Sequence, residues 1–395
     1  MKASLGTIST SSLLGISICL VFISIPFYDY SLPSKFSILA FIVWLFQLVN
    51  SKNKTIPNKK ILFPLFLFSS IFLLGVVSVI FSGDWLGGIE HIQLMAPIFV
   101  LPLIILTGHF KANLSHFLKW YSLAVTIASL SAILNAIILD FVNVGNYYYY
   151  QDFAALLNKH PIHFSLMVII ALLYYFKRCF IDKIKKPFYF LSLSILIFTI
   201  YLLSSRIGLI SLIAGVTLLI LYSSLSKKTK WMYLFLTFVG SIIIVFSNNL
   251  KERLITQKEL SQNTLDNRII IWKSIFEVAD KNLVWGIGIN DTRDDLYQTY
   301  KKNKLTIAYL EKYNAHNQFL EILLTYGIFG LSIFIFFIGW LGRIILLSKN
   351  PLYKSYFLVF ILFMSVESIF ERIIPIWLFY LIMPLVYKEY FLRQS

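Results

Sequence analysis

Apolar runs long enough to cross roughly 30 Å of hydrocarbon recur along the chain, separated by short polar breaks. They lie near residues 12 to 28, 34 to 50, 61 to 82, 91 to 108, 115 to 139, 160 to 176, 187 to 204, 206 to 224, 231 to 247, 328 to 347, 353 to 367 and 373 to 391. The pattern predicts an all-α polytopic membrane protein of about 12 transmembrane helices, one integral membrane unit over residues 1–395. Only the polar triplet Ser204, Ser205 and Arg206 divides the seventh run from the eighth. Between the ninth and tenth, residues 248–327 mix charges of both signs with periodic apolar positions, which predicts a large helical loop module rather than a linker.

Charge orients the spans. With the N-terminus inside, the segments Lys52 to Lys60, His109 to Lys119, Lys177 to Lys186, Lys227 to Lys230, Arg343 to Lys354 and the C-terminal tail face the cytoplasm. Together with Lys2 they hold more than half of the 35 Lys and Arg, but only Asp182 and Glu389 among the acids. This positive-inside bias places both termini in the cytoplasm and the 248–327 loop outside. It also accounts for the net charge of +16 without nucleic acid. The run from Leu13 to Phe27 lacks a small-residue cleavage site and precedes many further spans, so it reads as the first helix rather than a cleaved leader.

Composition agrees with that solvent: 58% of residues are hydrophobic, 14% are charged, and the mean hydropathy is +0.76. The spans carry almost no charge at mid-depth, only amides such as Gln47 and Asn135. Ion-coupled carriers place ionisable groups there, so the pattern disfavours a transporter. The two cysteines, Cys19 and Cys179, lie on different predicted helices and read as small apolar residues.

Candidate chemistry concentrates in the long loop. Asp266 is expected to cap a helix running to about Asn282, with Ile271, Trp272, Ile275, Phe276 and Ala279 on one face. Arg268 falls in its first turn, where the dipole disfavours a cation, so it is placed either for an anion or as a solvated surface residue. Gly286, Gly288 and Asn290 read as backbone turning rather than a phosphate loop. Asp291, Asp294 and Asp295 suggest either a divalent-metal cluster or, with Asp291 as cap, the start of a helix from Arg293 to Asn303. His316 begins an apolar-faced helix (Phe319, Leu320, Leu323, Leu324) ending at Gly327, and is either an interfacial polar group or a general base.

A second outer segment holds four tyrosines, Tyr147 to Tyr150, then Gln151, Asp152, His160, Pro161 and His163. The tyrosines suit either stacking on sugar rings or a membrane interface, while Asp152, His160 and His163 are close enough in sequence to raise metal binding. Glu367 and Arg372 stand outside the eleventh span, and the sequence leaves open whether they pair with each other or orient Arg206.

Together these residues form a pattern: Ser205-Arg206 opening a span, Asp266-Asn267-Arg268 followed by Trp272, Gly-Ile-Gly-Ile-Asn, then His316-Asn317 with Leu320, Glu321, Gly327 and Gly330. It resembles the bacterial O-antigen ligase and O-antigen polymerase superfamily over roughly residues 200–375, including Glu367-Ser368 and Arg372. The resemblance implies a C-type glycosyltransferase-like scaffold in the bacterial inner membrane. It implies inverting, metal-independent transfer of a glycan from undecaprenyl diphosphate to an acceptor hydroxyl at the periplasmic face, with no cofactor. By similarity, Arg206, Arg268 and His316 take the places of the family's essential arginines and histidine. Asn317, His160, His163, Glu367 and Arg372 are expected to contact substrate.

The physics suits those roles. Cations stabilise a diphosphate leaving group as its charge grows, and Arg206 stands at a helix N-terminus whose dipole also favours an anion; the alternative is an arginine snorkelling to the headgroups. No facing carboxylate pair of the glycosidase kind is evident. The leading expectation is a ligase whose acceptor is lipid A core. The rival is a polymerase joining lipid-linked repeats, with a protein O-oligosaccharyltransferase or a polysaccharide flippase further behind.

Overall fold

A computed structural model describes residues 10–50, 59–245, 264–289 and 291–392. Every regular element among these residues is helical. In chain order they are α1 (Thr10–Ser24), α2 (Ser31–Asn50), α3 (Lys59–Ile80), α4 (Trp85–Thr107), α5 (Leu114–Phe141), the short α6 (Tyr150–Ala155), α7 (Pro161–Phe176), α8 (Pro187–Leu203), α9 (Arg206–Leu221) and α10 (Lys227–Val245). Then come α11 (Thr264–Ala279), α12 (Asp291–Lys302), α13 (Thr306–Leu310), α14 (Gln318–Leu347), α15 (Pro351–Met364) and α16 (Ile373–Tyr387).

Each predicted apolar run falls on one of these helices. Seven helical segments have the length and hydropathy to cross a membrane, and α1, α8, α9 and α15 are shorter apolar helices. The exposed faces are as apolar as the interior, which only a lipid solvent permits: on α2, Ile38, Ile42, Phe46 and Val49 line one exposed stripe. Two helices lie in the middle. Every residue of α16 from Ile374 to Tyr387 is buried, and α7 is buried on nearly every face, as expected for helices hydrophobic all round.

The narrow division between the seventh and eighth runs is real and has a local cause. Ser204 adopts a left-handed φ of 44° that stops α8, and the Ser205 Oγ accepts the Gly208 N–H to cap α9.

Side chains lock the bundle where α16 ends, here termed the tail end. The Lys388 Nζ donates to the Ile105 carbonyl at 2.7 Å and to the Gly108 carbonyl, closing the C-terminus of α4. Glu389 accepts from the Leu114 N–H and the Tyr353 hydroxyl, and the Tyr387 hydroxyl donates to the Lys60 carbonyl at 2.7 Å. These bonds satisfy helix-terminal groups that would otherwise be orphaned in a low-dielectric setting.

At the opposite end, termed the module end, α11 to α13 and the start of α14 enclose a second core of Ile271, Ile275, Val278, Leu296, Tyr300 and Leu324. Two sequence expectations need correction here. The first helix of the module starts at Thr264, so Asp266 lies inside it rather than capping it, and Arg268 lies beyond the first turn. Phe276 is 48% exposed, because Val278 takes the place on the buried face that Phe276 was expected to fill.

Backbone stitches the module to the bundle. Ile287 N–H donates to the Leu324 carbonyl and Gly288 N–H to the Thr325 carbonyl, both at 3.0 Å, while Ile328 N–H returns to the Leu283 carbonyl at 2.8 Å. The α14 helix breaks there at Gly327, with φ 64° and ψ −167°. A Cβ on Gly286 would stand 2.3 Å from the Thr325 oxygen, and one on Gly327 would stand 2.3 Å from the Val284 oxygen. Both glycines also have positive φ, so close approach and dihedral together require them. The Gly-Ile-Gly turn therefore shapes backbone, as its sequence suggests.

Gly286→Ala and Gly327→Ala should each destabilise the chain by about 1–3 kcal/mol, read as a lower melting temperature in detergent and faster proteolysis between α11 and α12. Gly339→Ala on the same α14, where a Cβ meets nothing within 4 Å, should leave both unchanged. Unaltered melting of the first two variants would remove this backbone approach as the lock.

Candidate active site

The connection from α15 to α16, Ser365 to Arg372, crosses the module end and supplies polar contacts to several elements there. Its carbonyl at Ser365 accepts the Asn317 Nδ2–H at 3.1 Å. Its Phe370 N–H donates to Gln318 Oε1 at 2.6 Å, and its Ser368 hydroxyl donates to Glu321 Oε2 at 3.1 Å. The start of α14 is thus fixed from the side, immediately after His316.

His316 is held in an unusual way. Its φ of 45° puts a non-glycine residue in the left-handed region, a conformation that costs about 1–2 kcal/mol and persists only when neighbours over-determine it. Those neighbours are visible. Its N–H donates to Asn314 Oδ1 at 3.0 Å, and its ring meets Tyr313 edge to face at 5.1 Å. The imidazole Nδ1 lies 3.2 Å from Glu367 Oε2. A carboxylate accepts only, so this bond puts the ring proton on Nδ1 and leaves the lone pair on Nε2. Nε2 has no protein partner among the described residues. The His316 side chain remains 28% exposed while that of Glu367 is 11% exposed, the arrangement of an orienting acid behind an accessible base.

Glu367 therefore takes His316, which resolves the pairing that the sequence left open: its partner is the histidine rather than Arg372. Asn317, expected to meet substrate, also bonds to protein. Its Oδ1 accepts from the Phe319 N–H at 2.9 Å and the Leu320 N–H at 3.2 Å, capping α14, while its Nδ2 holds Ser365.

The next residues of the connection were not singled out from sequence. Glu371 Oε1 stands 3.2 Å from His91 Nε2, and its Oε2 stands 3.2 Å from Arg293 Nη2. Arg293 Nη2 is also 3.3 Å from His91 Nδ1. This triangle ties α12 of the module to α4 and to the α15–α16 connection. Burial pushes the Glu371 carboxyl up, but His91 and Arg293, with Arg372 beyond them, outweigh it and hold the group below the usual carboxylate range. The three residues are far apart in sequence, and no local spacing points to the contact.

Arg206 is exposed at the first position of α9. The Ser165 hydroxyl of α7 reaches the Ser205 Oγ at 3.3 Å, and a Cβ on Gly208 would meet Ser165 at 2.9 Å, so α7 and α9 are in close contact here. His163 lies within one turn of Ser165, with its ring 5.1 Å from that of His160. Arg372, itself exposed, acts electrostatically on His163, Tyr30 and Glu371. Arg206, His160, His163, Arg372, Glu367, Asn317 and His316 thus all belong to one end of the bundle. The N-termini of α7, α9, α14 and α16 converge there, and their dipoles favour anions. The Arg268 side chain lies outside the described residues; its backbone is in α11 at this end.

The four tyrosines are half-buried. Tyr147 and Tyr148 pack against the main core, and the Tyr313 phenol, raised by burial and by Glu311, also feels Tyr150. One end of the tyrosine run thus approaches the residue that supports His316. In the aspartate group, Asp295 pairs with Lys281 at 2.9 Å, and the Asp291 side chain lies outside the described residues.

Residues 191–335 match the family model of O-antigen ligase. The match covers a little over a third of the chain, from α8 into α14. It takes in Arg206, Arg268 and His316 and stops before Glu367 and Arg372. The resemblance read from the motifs therefore holds over this segment, and the chain is a multi-pass helical membrane protein similar to that family there. No curated protein matches the chain.

The Arg293–Glu371–His91 triangle gives a pH prediction. A carboxyl with a depressed folded pKa stabilises fully above its unfolded value, and that stability is lost as pH falls through the folded one. Glu371→Gln should therefore lower the melting temperature at pH 7, and the gap to wild type should narrow below about pH 4.5, the ordinary range for glutamate. A gap independent of pH would show that the charge contributes nothing.

Proposed function

We propose that the protein transfers a lipid-linked glycan from undecaprenyl diphosphate to an acceptor hydroxyl at the outer face of a bacterial inner membrane. The observation that carries this reading is the His316–Glu367 pair, at the bundle end that also carries Arg206, Arg372 and the N-termini of α7, α9, α14 and α16, inside a chain whose central segment matches the O-antigen ligase model. In this reading the twelve apolar helices all span the membrane and both termini are cytoplasmic. The 248–327 loop is then periplasmic and catalytic, as the lysine and arginine asymmetry favours.

The chemistry is a single displacement. The acceptor oxygen attacks the anomeric carbon while the bond from that carbon to the diphosphate oxygen breaks, and the configuration inverts. His316 Nε2 takes the hydroxyl proton as the new bond forms, and Glu367 stabilises the resulting imidazolium through Nδ1. The electron pair leaves on the lipid diphosphate, whose growing charge meets Arg206, with Arg268 from the module and Arg372 from the α15–α16 connection. The dipoles of α9 and α16 add to this field without reorganising. His160 and His163 bind substrate at the mouth of α7. No step requires a metal or a cofactor.

The preferred acceptor is lipid A core, making the protein a ligase; the same chemistry with a lipid-linked repeat as acceptor gives a polymerase. The surface glycan of a deletion strain separates them. Long chains lost from lipid A core and accumulated on the carrier identify a ligase, a single repeat on core without a ladder identifies a polymerase, and an unchanged profile overturns both assignments.

His316→Ala should lower transfer by about 10²–10⁴-fold while the chain still inserts and melts cooperatively, at a temperature somewhat reduced by loss of the Glu367 contact. Glu367→Gln, which keeps an acceptor for Nδ1 but loses the charge, should cost about tenfold, more in kcat than in KM. Undiminished product from a stably expressed His316→Ala variant would exclude the base.

A further inference from the structure

A cavity of about 700 Å³ opens at the tail end between α3, α14 and α16, far from the chemistry proposed above. Lys59, Lys60 and Arg343 line it together with Phe63, Trp340 and Tyr387, and no acidic side chain is among its lining residues. Lys59 and Lys60 occupy the first two positions of α3, where the helix dipole opposes cations. Two lysines at that end, facing an arginine from a different helix, form a positive wall that helix stability does not call for.

The walls are firm. Trp340 packs on Tyr387 with ring centroids 5.5 Å apart and on Phe63 at 5.9 Å, and the Tyr387 hydroxyl fixes the Lys60 backbone through its carbonyl at 2.7 Å. The mouth is apolar and outward-facing, since Phe63, Leu62 and Leu347 are 47%, 46% and 60% exposed. A site with cations at the bundle end, aromatic rings beneath them and an apolar mouth toward lipid has the layering of an anionic amphiphile: phosphate at the headgroup level and acyl chains below.

We infer that this cavity holds one anionic glycerophospholipid, its phosphodiester between Lys59, Lys60 and Arg343 and its acyl chains over Phe63 and Trp340. The bound lipid covers an exposed apolar wall and bridges α3 to α14, the helix whose other end carries His316. Its leaflet is the cytoplasmic one under the orientation argued above, but the lipid preference does not depend on that orientation or on the glycosyl transfer.

The test is native mass spectrometry of the full-length protein in detergent with equimolar phosphatidylglycerol and phosphatidylcholine. Each cation near a headgroup contributes about fivefold, so the wild type should retain phosphatidylglycerol in at least about tenfold preference. Lys59→Gln with Arg343→Gln should lower the ratio by at least about fivefold, leaving only what Lys60 supplies, while Lys183→Gln with Lys185→Gln, exposed cations on the α7–α8 connection, should leave it unchanged. Size-exclusion profiles check folding, and the charge-conserving Arg343→Lys should keep the preference if the double variant is not monodisperse. A wild-type ratio near one, an equal fall in both double variants, or loss of preference in Arg343→Lys alone would overturn the inference; the second of these outcomes would assign the effect to diffuse surface charge.

Discussion

Polar groups at the end of an apolar bundle must find partners, because lipid supplies none. That constraint is met here by one eight-residue connection, Ser365 to Arg372. Its backbone and side chains satisfy Asn317, Gln318, Glu321, His316, His91 and Arg293. Three of those partners lie at the start of α14, one precedes it, one lies on α4 and one on the module. Where a single short segment answers so many separate elements, removing a contact to a buried partner such as Gln318 or Glu321 leaves a donor or acceptor unmatched, and such losses cost about 1–3 kcal/mol each. The connection is therefore the part of the fold from which the geometry of the site follows.

The module adds a second layer of dependence. Its own core is small, so its placement comes from two kinds of attachment: the backbone stitching between residues 283–289 and 324–329, and the Arg293–Glu371–His91 triangle. The first is fixed in direction by hydrogen bonds and by two glycines that admit no Cβ. The second is electrostatic and partly solvent-exposed, with the Arg293 side chain 48% accessible.

Much of this was legible in the sequence, and the reason is periodicity. Apolar runs of membrane length mark helices strongly, so even the division at Ser204 to Arg206 falls where the polar triplet put it. His316, Arg206 and the Gly-Ile-Gly turn were legible because each interrupts an apolar pattern at a helix end. Boundaries and partners were not. Asp266 looked like a cap because its residue type suits that position, yet Thr264 already begins the helix; propensity is weaker than tertiary packing. Glu371, His91 and Arg293 were silent because their meaning lies in a contact across 78 and more residues, and no local spacing encodes it. Asn317 belongs to the motif, and its amide is also what holds α14 to Ser365, a contact that no local spacing encodes.

The left-handed conformation of His316 links these observations. An imidazole on the first turn of α14 itself would point along the helix, toward the apolar face. Placing it one residue before the Asn317 cap, with φ at 45°, turns the ring away from that face and brings Nδ1 against Glu367 on another element. The strain of about 1–2 kcal/mol is offset by bonds on both sides of it: Asn314 to the His316 N–H, Ala315 N–H to Glu321 at 2.9 Å, and Asn317 to Ser365. The same bonds that impose the strain also tie the chain to the α15–α16 connection. The imidazole and the carboxylate beside it are therefore set by one local network, and the ring cannot relax to an ordinary φ without releasing the contacts that fix α14.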